Sequence, residues 1–238
     1  MKLVEPSYMI LSIPDYAHAL DVVEAAIRVC KKSPVSTDIG VKEDLVRRII
    51  NAGHLSTLEH QSITVHFVTG RGTTHELVRH RIASYSQESS RFCNYSDDKF
   101  GEEISVIRPY WFSREEWNEY RKRQDSLEGY TPNIPVERLD QLSRWEYSIE
   151  CAQSAYLALI DKENVKEVPP LPAQAARGVL PTDLKTEIIM SANIRQWRYI
   201  FELRVLGKTG NPHPDMKLLL KPLLQELQTR LPVFFEEL

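Results

Sequence analysis

The chain has 238 residues, of which 42% are hydrophobic, 26% charged and 9% aromatic, and these values exclude a disordered or collagen-like protein. Its 30 Lys and Arg against 33 Asp and Glu give a net charge of -3, which argues against a protein that binds nucleic acid through an overall basic surface. Because a domain usually spans about 100 to 200 residues, we expect residues 1–238 to form a single domain.

Cysteine usage and the N-terminus indicate the compartment. Cys30, Cys93 and Cys151 are too far apart in the chain for a disulfide framework or a Cys-x-x-Cys pair, which fits the reduced cytoplasm. Residues 1–16 lack the apolar run of a signal peptide, and no stretch approaches the roughly 18 apolar residues of a membrane span. We therefore expect a cytoplasmic protein without a membrane partner.

The first 70 residues predict two strands and two helices. Residues 2–12 mix β-branched and aromatic residues and predict a strand. Asp15 can cap a helix whose apolar residues recur at three- and four-residue spacing up to Cys30, which is therefore expected in the core. A second helix is predicted over residues 42–52, and the alternation of residues 61–69 predicts a half-buried strand.

A short polar segment follows. Residues 70–72 contain two glycines that end the strand, and residues 73–81 predict a short helix capped by one of its first two threonines. Residues 84–91 are too polar for a core and lack helical spacing, so they are predicted to form a loop. Residues 104–107 predict a short strand.

The middle of the chain predicts helices. Ser113 and Glu116 have the spacing of a capping box, which marks the start of a helix. Pro132 and Pro135 then indicate a loop. Residues 136–160 keep helical spacing of apolar side chains over many turns and predict a long helix.

The last quarter mixes turns, an extended segment and helices. Residues 172–181 predict a short helical turn closed by Gly and Pro, and residues 182–190 are expected to be extended. Asn193 can open a helix through Arg204, and residues 215–231 predict a final amphipathic helix. Strands interspersed with long helices predict a mixed helix and sheet protein with helices in the majority.

Three familiar motifs fail on spacing. His75 and His80 are five residues apart, so on a helix they would diverge by roughly 140° and cannot form the zinc site of a metalloprotease. Residues 207–209 resemble the end of a P-loop, but Glu202 stands where the motif needs Gly. A Gly-x-Gly-x-x-Gly turn is absent from the sequence, so a dinucleotide would need another mode of binding.

Arginines in polar, turn-rich sequence are the strongest indication of a binding site. Arg presents a planar fork of donors that suits phosphate and the edge of a uracil-like ring. On a helix Arg79 and Arg81 would lie about 200° apart, which favours two ligands or a subunit boundary. The alternative for each arginine taken alone is a surface salt bridge. The set comprises Arg79, Arg81, Arg91, Arg177, Arg195 and Arg204.

Residues 79–92 read RHRIASYSQESSRF, an Arg-His-Arg triplet followed after seven residues by Ser and then by x-Arg-aromatic. This run resembles the signature of the flavin-dependent thymidylate synthases. Residues 53–60 (GHLSTLEH), residues 174–181 (QAARGVLP), and residues 193–195 together with Arg204 extend the resemblance. It covers roughly residues 50 to 205.

The resemblance implies an α+β fold with a central, mostly antiparallel sheet and long flanking helices. It implies an enzyme that reductively methylates dUMP to dTMP, with 5,10-methylenetetrahydrofolate as carbon donor, FAD as hydride carrier and NADPH or NADH as reductant. It also implies a homotetramer with active sites shared between subunits, which would suit arginines on two faces of one helix. No nucleic-acid partner is expected.

The resemblance assigns roles to individual positions. Arg204 matches the arginine that polarises the uracil ring. The positions implied to bind dUMP are Glu76, Arg79, Gln87, Glu88, Ser89, Ser90, Arg91 and Arg177, of which Ser89, Arg91 and Arg177 would lie near the phosphate. The positions implied to bind FAD are Ser56, Arg79, His80, Arg81, Gln87, Asn193, Arg195 and Tyr199.

Some positions depart from the family pattern. Glu76 stands where many members carry Gln, Ser86 and Gln87 stand where many read Asn-Glu, and Tyr199 occupies a position that is often polar. A carboxylate beside a phosphate would repel it, so Glu76 is expected to contact the sugar or the base of dUMP.

Methylating carbon 5 of uracil requires electron density there, which other thymidylate synthases supply through a cysteine that adds to carbon 6. Cys30 and Cys151 are predicted in helix cores, which leaves Cys93 as the one cysteine that could lie near substrate. Ser89 lacks both an adjacent base and a Gly-x-Ser-x-Gly elbow, so it is predicted to bind rather than attack. Arg204 would instead stabilise an anionic uracil electrostatically.

A nucleotide- or RNA-binding module that uses the same arginines as a phosphate clamp is the competing function. The net charge of -3 and the lack of interleaved aromatic and basic residues argue against it. A bound flavin would distinguish the enzyme from the clamp.

Overall fold

The computed structural model describes residues 1–97, 100–101, 103–126, 133–161 and 169–238, and Pro132 lies outside them. The chain divides into two compact units, each built from separate segments. The first unit comprises Met1–Pro6, Thr69–Gly72 and Glu88–Thr186, and the second comprises Ser7–Val68, Thr73–Gln87 and Glu187–Leu238. That residues 1–238 form one domain stays a prediction.

The elements of the described residues are as follows. The strands are β1 (Lys2–Val4), β2 (Ser7–Ser12), β3 (Ser62–Gly70), β4 (Ala83–Gln87), β5 (Ser105–Ile107) and β6 (Lys185–Asn193). The helices are α1 (Tyr16–Val29), α2 (Ile39–Asn51), α3 (Arg71–Leu77), α4 (Arg114–Asp125), α5 (Val136–Ile160), α6 (Ala173–Ala176), α7 (Ile194–Arg204), α8 (Pro214–Arg230) and α9 (Pro232–Phe235). Short 3-10 helices cover Leu55–His60 and Arg177–Val179.

A four-stranded sheet with strand order β2-β3-β6-β4 organises the second unit. β2 pairs antiparallel with β3, and β4 pairs antiparallel with β6. Ile63, Val65 and Phe67 of β3 are fully buried, as the alternation of this segment predicts. Ile188 and Met190 of β6 join them in the same core cluster. One face of the sheet therefore forms the core of this unit.

Helices pack on that core and their caps are visible in the sequence. Asp15 caps α1 by accepting from the backbone N–H of His18 at 3.2 Å, as predicted. α2 begins earlier than predicted because Asp38 caps it. Asn193 caps α7 through the N–H of Gln196 at 2.8 Å, which confirms the predicted start. These caps fix where each helix begins.

α7 is tied directly to the sheet. The indole N–H of Trp197 donates to the carbonyl of Ile63 in β3 at 3.1 Å, and Trp197 is fully buried. Ile200 and Phe201 are fully buried as well. These buried residues fix α7 on this unit, and with it the position of its last residue, Arg204.

The first unit contains a small parallel sheet and two helices. β1 pairs with β5 in parallel. α4 carries the predicted capping box, in which the Ser113 side chain accepts from the N–H of Glu116 and the Glu116 carboxylate accepts from the N–H of Ser113. The long helix α5 has the predicted bounds. Its buried residues, among them Leu142, Ile149 and Tyr156, pack in two apolar clusters of this unit.

Three strand predictions are wrong by more than one residue. The strand predicted over residues 2–12 is two strands, because Pro6 has no backbone N–H to continue a ladder. Residues 84–91 are not all loop, since β4 covers the first four of them. Its exposed positions, Ser84 and Ser86, are polar and obscured the alternation with the partly buried Tyr85. The extended segment predicted over residues 182–190 lies three residues later, in β6.

The helix predicted through residue 81 ends at Leu77. Residues 79–81 therefore lie in a turn, and the angular separation of about 200° that a helix would impose on Arg79 and Arg81 does not apply. Ile82 closes the turn with φ at 69°, in the left-handed region that a β-branched side chain rarely occupies. Arg79 and Arg81 are both exposed.

Cys30 and Cys151 are exposed, which corrects the prediction that both lie in helix cores. Cys30 follows the last residue of α1, where the helix no longer presents its apolar face to the core. Cys151 lies on α5, which is amphipathic, and the spacing argument assigned it to the wrong face.

The fold class is confirmed as α+β, with an antiparallel sheet and long helices. In the part of the chain that the structure describes, none of the helices has the length and apolar character needed to cross a membrane.

Candidate active site

The guanidinium of Arg204 is held by two side chains of the second unit. Its Nη1 donates to Oε2 of Glu76 at 2.6 Å, and its Nε donates to Nε2 of His80 at 3.1 Å. Arg204 is the last residue of α7, and Glu76 lies in the last turn of α3. The sequence predicted all three as site residues, and the structure brings them together.

His80 is a neutral acceptor in this arrangement. Burial, followed by the positive charges of Arg204 and Arg79, lowers the pKa of His80 from 6.5 to about 4. A neutral imidazole that accepts at Nε2 carries its proton on Nδ1. The Nδ1–H is then the donor that His80 retains for another partner.

Tyr85 anchors the backbone that carries His80. Its hydroxyl lies 2.9 Å from the carbonyl of Leu77 and 2.6 Å from the carbonyl of His80, and its single O–H is shared between the two acceptors. Burial raises the pKa of Tyr85 to about 12, so the hydroxyl keeps its proton. The turn after α3 is thus fixed to β4, and with it the position of the imidazole.

A cleft of about 340 Å³ lies along α7 in the same unit. Three residues predicted to bind FAD line it: Asn193, Arg195 and Tyr199. Arg195 donates to Glu59 at 2.5 Å, and the Asn193 side-chain oxygen is already used as the helix cap. The amide N–H groups of Asn193 therefore remain available for a ligand.

Other residues of the cleft are not among those predicted from the sequence. Leu55 and Ile82 contribute apolar surface, and Ile82 is 74% exposed despite its left-handed backbone. Arg198 also lines the cleft, is buried, and binds the carbonyl of Phe234 and the carboxylate of Glu237. The positive φ of Ile82 cannot be predicted from the sequence. Its position directly after the Arg-His-Arg triplet is the one signal that could have identified it.

In the first unit, predicted phosphate ligands lie close to one another. Nη1 of the exposed Arg177 donates to the hydroxyl of Ser90 at 3.3 Å. The backbone N–H of Arg91 donates to the hydroxyl of Ser89 at 3.3 Å. Arg91 also reaches the side-chain oxygen of Gln174 at 3.5 Å. Two guanidinium groups and two hydroxyls can therefore offer donors to an anion from this unit.

Gln87 and Glu88 are held by neighbours. The Gln87 amide donates to the hydroxyl of Thr74 at 2.9 Å. The Glu88 carboxylate accepts from Tyr95 at 2.8 Å and pairs with Lys185 at 3.2 Å. These contacts hold both side chains in place, and their predicted roles toward dUMP and FAD stay predictions.

Ser56 is exposed in the 3-10 helix Leu55–His60, and its predicted contact with FAD likewise stays a prediction. In the described residues we find no group of three or more His, Cys, Asp and Glu side chains that could hold a metal ion.

Comparison with known proteins identifies relatives of this chain. The family model described as "Thymidylate synthase complementing protein" matches residues 12–233. A flavin-dependent thymidylate synthase of Mycobacteroides abscessus is 31% identical over 202 residues, which cover 83% of this chain and 70% of that protein. One from Mycobacterium sp. strain KMS is 29% identical over 234 residues, which cover 91% of this chain and 78% of that protein.

Solved structures share the fold. The UMP/dUMP methylase PolB from Streptomyces cacaoi, solved with 5-Br dUMP, superposes with a TM-score of 0.75 at 21% identity, over 99% of this chain and 96% of that chain. The same protein solved with 5-Br UMP gives a TM-score of 0.70 at 17% identity, over 99% and 95%. At these identities the likeness concerns the fold. The family model and the sequence relatives show that the chain is an enzyme of the flavin-dependent thymidylate synthase family.

Proposed function

We propose that the protein converts dUMP to dTMP by reductive methylation, without an enzyme cysteine as nucleophile. The carbon comes from 5,10-methylenetetrahydrofolate and the electrons from NADPH or NADH. The observation that supports this most is the Arg204 guanidinium, which is held at Nη1 and Nε and keeps its remaining N–H groups for a ligand. The proposal places the pyrimidine of dUMP against those groups.

Arg204 would stabilise charge on the uracil ring electrostatically. O2 of uracil can accept from the guanidinium, and N3 can accept as well once it has lost its proton, so negative charge that develops on the ring as carbon 5 reacts would be stabilised. Arg204 is a partly buried residue with 20% of its side chain exposed, so water screens its charge less than on an open surface. This would supply the activation that a cysteine supplies in other thymidylate synthases.

The cleft along α7 fits part of an FAD molecule. Its volume lies near the lower end of the roughly 300 to 1,000 Å³ of small-molecule sites, so it would take one portion of the dinucleotide. Arg195 would provide positive charge, the Asn193 amide a donor, and Tyr199 with Leu55 and Ile82 an apolar surface. When bound, FAD supplies hydride transfer.

The remaining assignments are part of the same proposal. Ser89, Ser90, Arg91 and Arg177 would bind the dUMP phosphate, and Glu88 would support that segment through Lys185 and Tyr95. Further FAD contacts are assigned to Ser56, Arg79, His80, Arg81 and Gln87. We also propose a cytoplasmic homotetramer in which the exposed Arg79 and Arg81 reach ligands of a neighbouring subunit.

The test is an activity and absorption measurement on purified protein. We expect a flavin absorption band, and dTMP formation only when dUMP, 5,10-methylenetetrahydrofolate and a reduced nicotinamide cofactor are all present. A parallel reaction with UMP asks whether the ribonucleotide is accepted. Colourless protein that cannot take up FAD and makes no dTMP would contradict the proposal and favour a non-enzymatic phosphate clamp.

A further inference from the structure

The carboxylate of Glu76 and the imidazole of His80 contact different nitrogen atoms of the same guanidinium. We propose that Glu76 and His80 are positioning residues, which fix the orientation of Arg204 so that its free N–H groups face the pyrimidine. This inference rests on the proposed function, and it gives Glu76 a role other than contact with the sugar or base of dUMP.

The contacts leave a defined set of donors. A guanidinium has five N–H groups, of which one on Nη1 is used by Glu76 and the one on Nε by His80. One N–H on Nη1 and both on Nη2 remain, so both terminal nitrogens keep a donor. A uracil ring that carries negative charge at O2 and N3 can accept a hydrogen bond from each of them.

Arg204 needs external support because of its place in the fold. It is the last residue of α7, so the helix continues on only one side of it. A free Arg side chain carries about 2 kcal/mol of rotamer entropy, which would oppose one fixed orientation. Two contacts from another segment, one from α3 and one from the turn after it, remove that freedom before a ligand binds.

The two anchors contribute in different ways. Glu76 is 29% exposed and makes a short, charge-assisted hydrogen bond that also offsets the positive charge of Arg204. His80 is 5% exposed and contributes an acceptor without charge. Exchange of Glu76 for Gln would keep an acceptor and remove the negative charge, whereas exchange for Ala would remove both.

The experiment compares Glu76→Gln, Glu76→Ala, His80→Gln and His80→Ala in flavin-loaded protein. A misplaced catalytic group typically costs about 10²-fold in rate, so we expect each Ala variant to lose roughly that factor in kcat, with KM for dUMP changed less than about 3-fold. Each Gln variant can still accept from Arg204 and should recover most of the lost kcat. Full kcat in both Ala variants, or no recovery in both Gln variants, would overturn the proposal.

A matched control separates positioning from general loss of an ion pair. Glu43 on α2 is a carboxylate of similar exposure, 25%, which bonds Tyr16 and lies 3.6 Å from Arg47. Glu43→Gln and Glu43→Ala should leave kcat unchanged relative to the wild type. If Glu43→Ala lowers kcat as much as Glu76→Ala, the effect is structural and the assigned role is wrong.

A second readout does not depend on activity. The pKa of the His80 ring, followed by NMR, should rise above about 4 in Arg204→Ala, because the Arg204 charge contributes to lowering it. An unchanged pKa would show that the two side chains are not in contact, which overturns the proposal. A wild-type protein that makes no dTMP would instead reject the proposed function, and the NMR result would still decide the contact.

Discussion

The arginines of the two units differ in how firmly they are held. Arg204 in the second unit is fixed by a carboxylate at 2.6 Å and an imidazole at 3.1 Å. Arg177 and Arg91 in the first unit are exposed, and their side-chain hydrogen bonds are long, at 3.3 and 3.5 Å. A group that stabilises developing charge must be oriented beforehand, whereas a group that binds a phosphate can adjust to it. We infer that Arg204 controls the rate and that Arg177 and Arg91 control affinity.

The largest effect is expected for Arg204→Ala. Removing one preorganised donor typically lowers kcat by about 10²- to 10³-fold, and we expect that loss here with KM for dUMP changed much less. Steady-state kinetics of dTMP formation measures both constants. Flavin absorbance and the melting temperature serve as controls, and both should match the wild type. A variant with full turnover would remove the role assigned to Arg204.

The next effect concerns stability in acid. The pKa of His80 is lowered to about 4 in the folded protein, against 6.5 when unfolded, so between these values only the unfolded chain binds the proton. The free energy of unfolding should therefore fall by about 3 kcal/mol as the pH drops from 6.5 to 4, with no further His80 contribution below or above that window.

Urea unfolding of the wild type and of His80→Gln at several pH values isolates this contribution. Carboxylates elsewhere titrate equally in both proteins, so the difference between the two curves belongs to His80. We expect the variant to lose less stability than the wild type on acidification. Parallel curves would contradict a neutral, buried imidazole beside Arg204.

Arg177→Ala tests whether the arginines of the first unit control the affinity for dUMP. Hydrogen bonds to charged groups are worth about 1.5 to 3 kcal/mol, so KM for dUMP should rise by about 10- to 100-fold while kcat stays within about 3-fold. Arg144→Ala is the matched control, because Arg144 is exposed and paired with Asp140 on the surface of α5 in the same unit. A drop in kcat alone for Arg177→Ala would reverse the assigned division of roles.

The smallest effect is expected for Ser89→Ala. The Ser89 hydroxyl accepts from the backbone N–H of Arg91 at 3.3 Å, and the substitution would remove one hydrogen bond from an uncharged donor to the phosphate. At the lower end of the range for bonds to charged groups this is worth about 1.5 kcal/mol, so KM should rise by about 10-fold and activity should remain. Mass spectrometry that detects a substrate adduct on Ser89 or Cys93 in the wild type would show covalent catalysis instead.

Helix starts and the main strand could be predicted from the sequence because their signals are local. Asp15, Ser113 and Asn193 cap helices through their own backbone neighbours, and the alternation in β3 is visible without any partner. β4 was missed because its exposed residues are serines, and its identity depends on pairing with β6. The positive φ of Ile82 depends on the turn as a whole.

The candidate site was predictable in part. Its arginines were predicted from residue type, since arginines beside serines suit anion binding, whereas Glu76 and His80 were predicted as site residues only through the family resemblance. The pairing of Glu76 with Arg204 joins residues 128 positions apart, so no local pattern could reveal it. Burial of His80, which makes its imidazole an acceptor, is likewise a property of the packed chain.

The most direct test of the account is Arg204→Lys in a single turnover at saturating dUMP. Lysine keeps the positive charge but lacks the planar fork that Glu76 and His80 hold and that the pyrimidine edge would accept. We predict that the rate constant for dTMP formation falls by about 10²-fold while flavin content is unchanged. A lysine variant that turns over at the wild-type rate would show that charge alone suffices, and it would contradict a role for the orientation of Arg204.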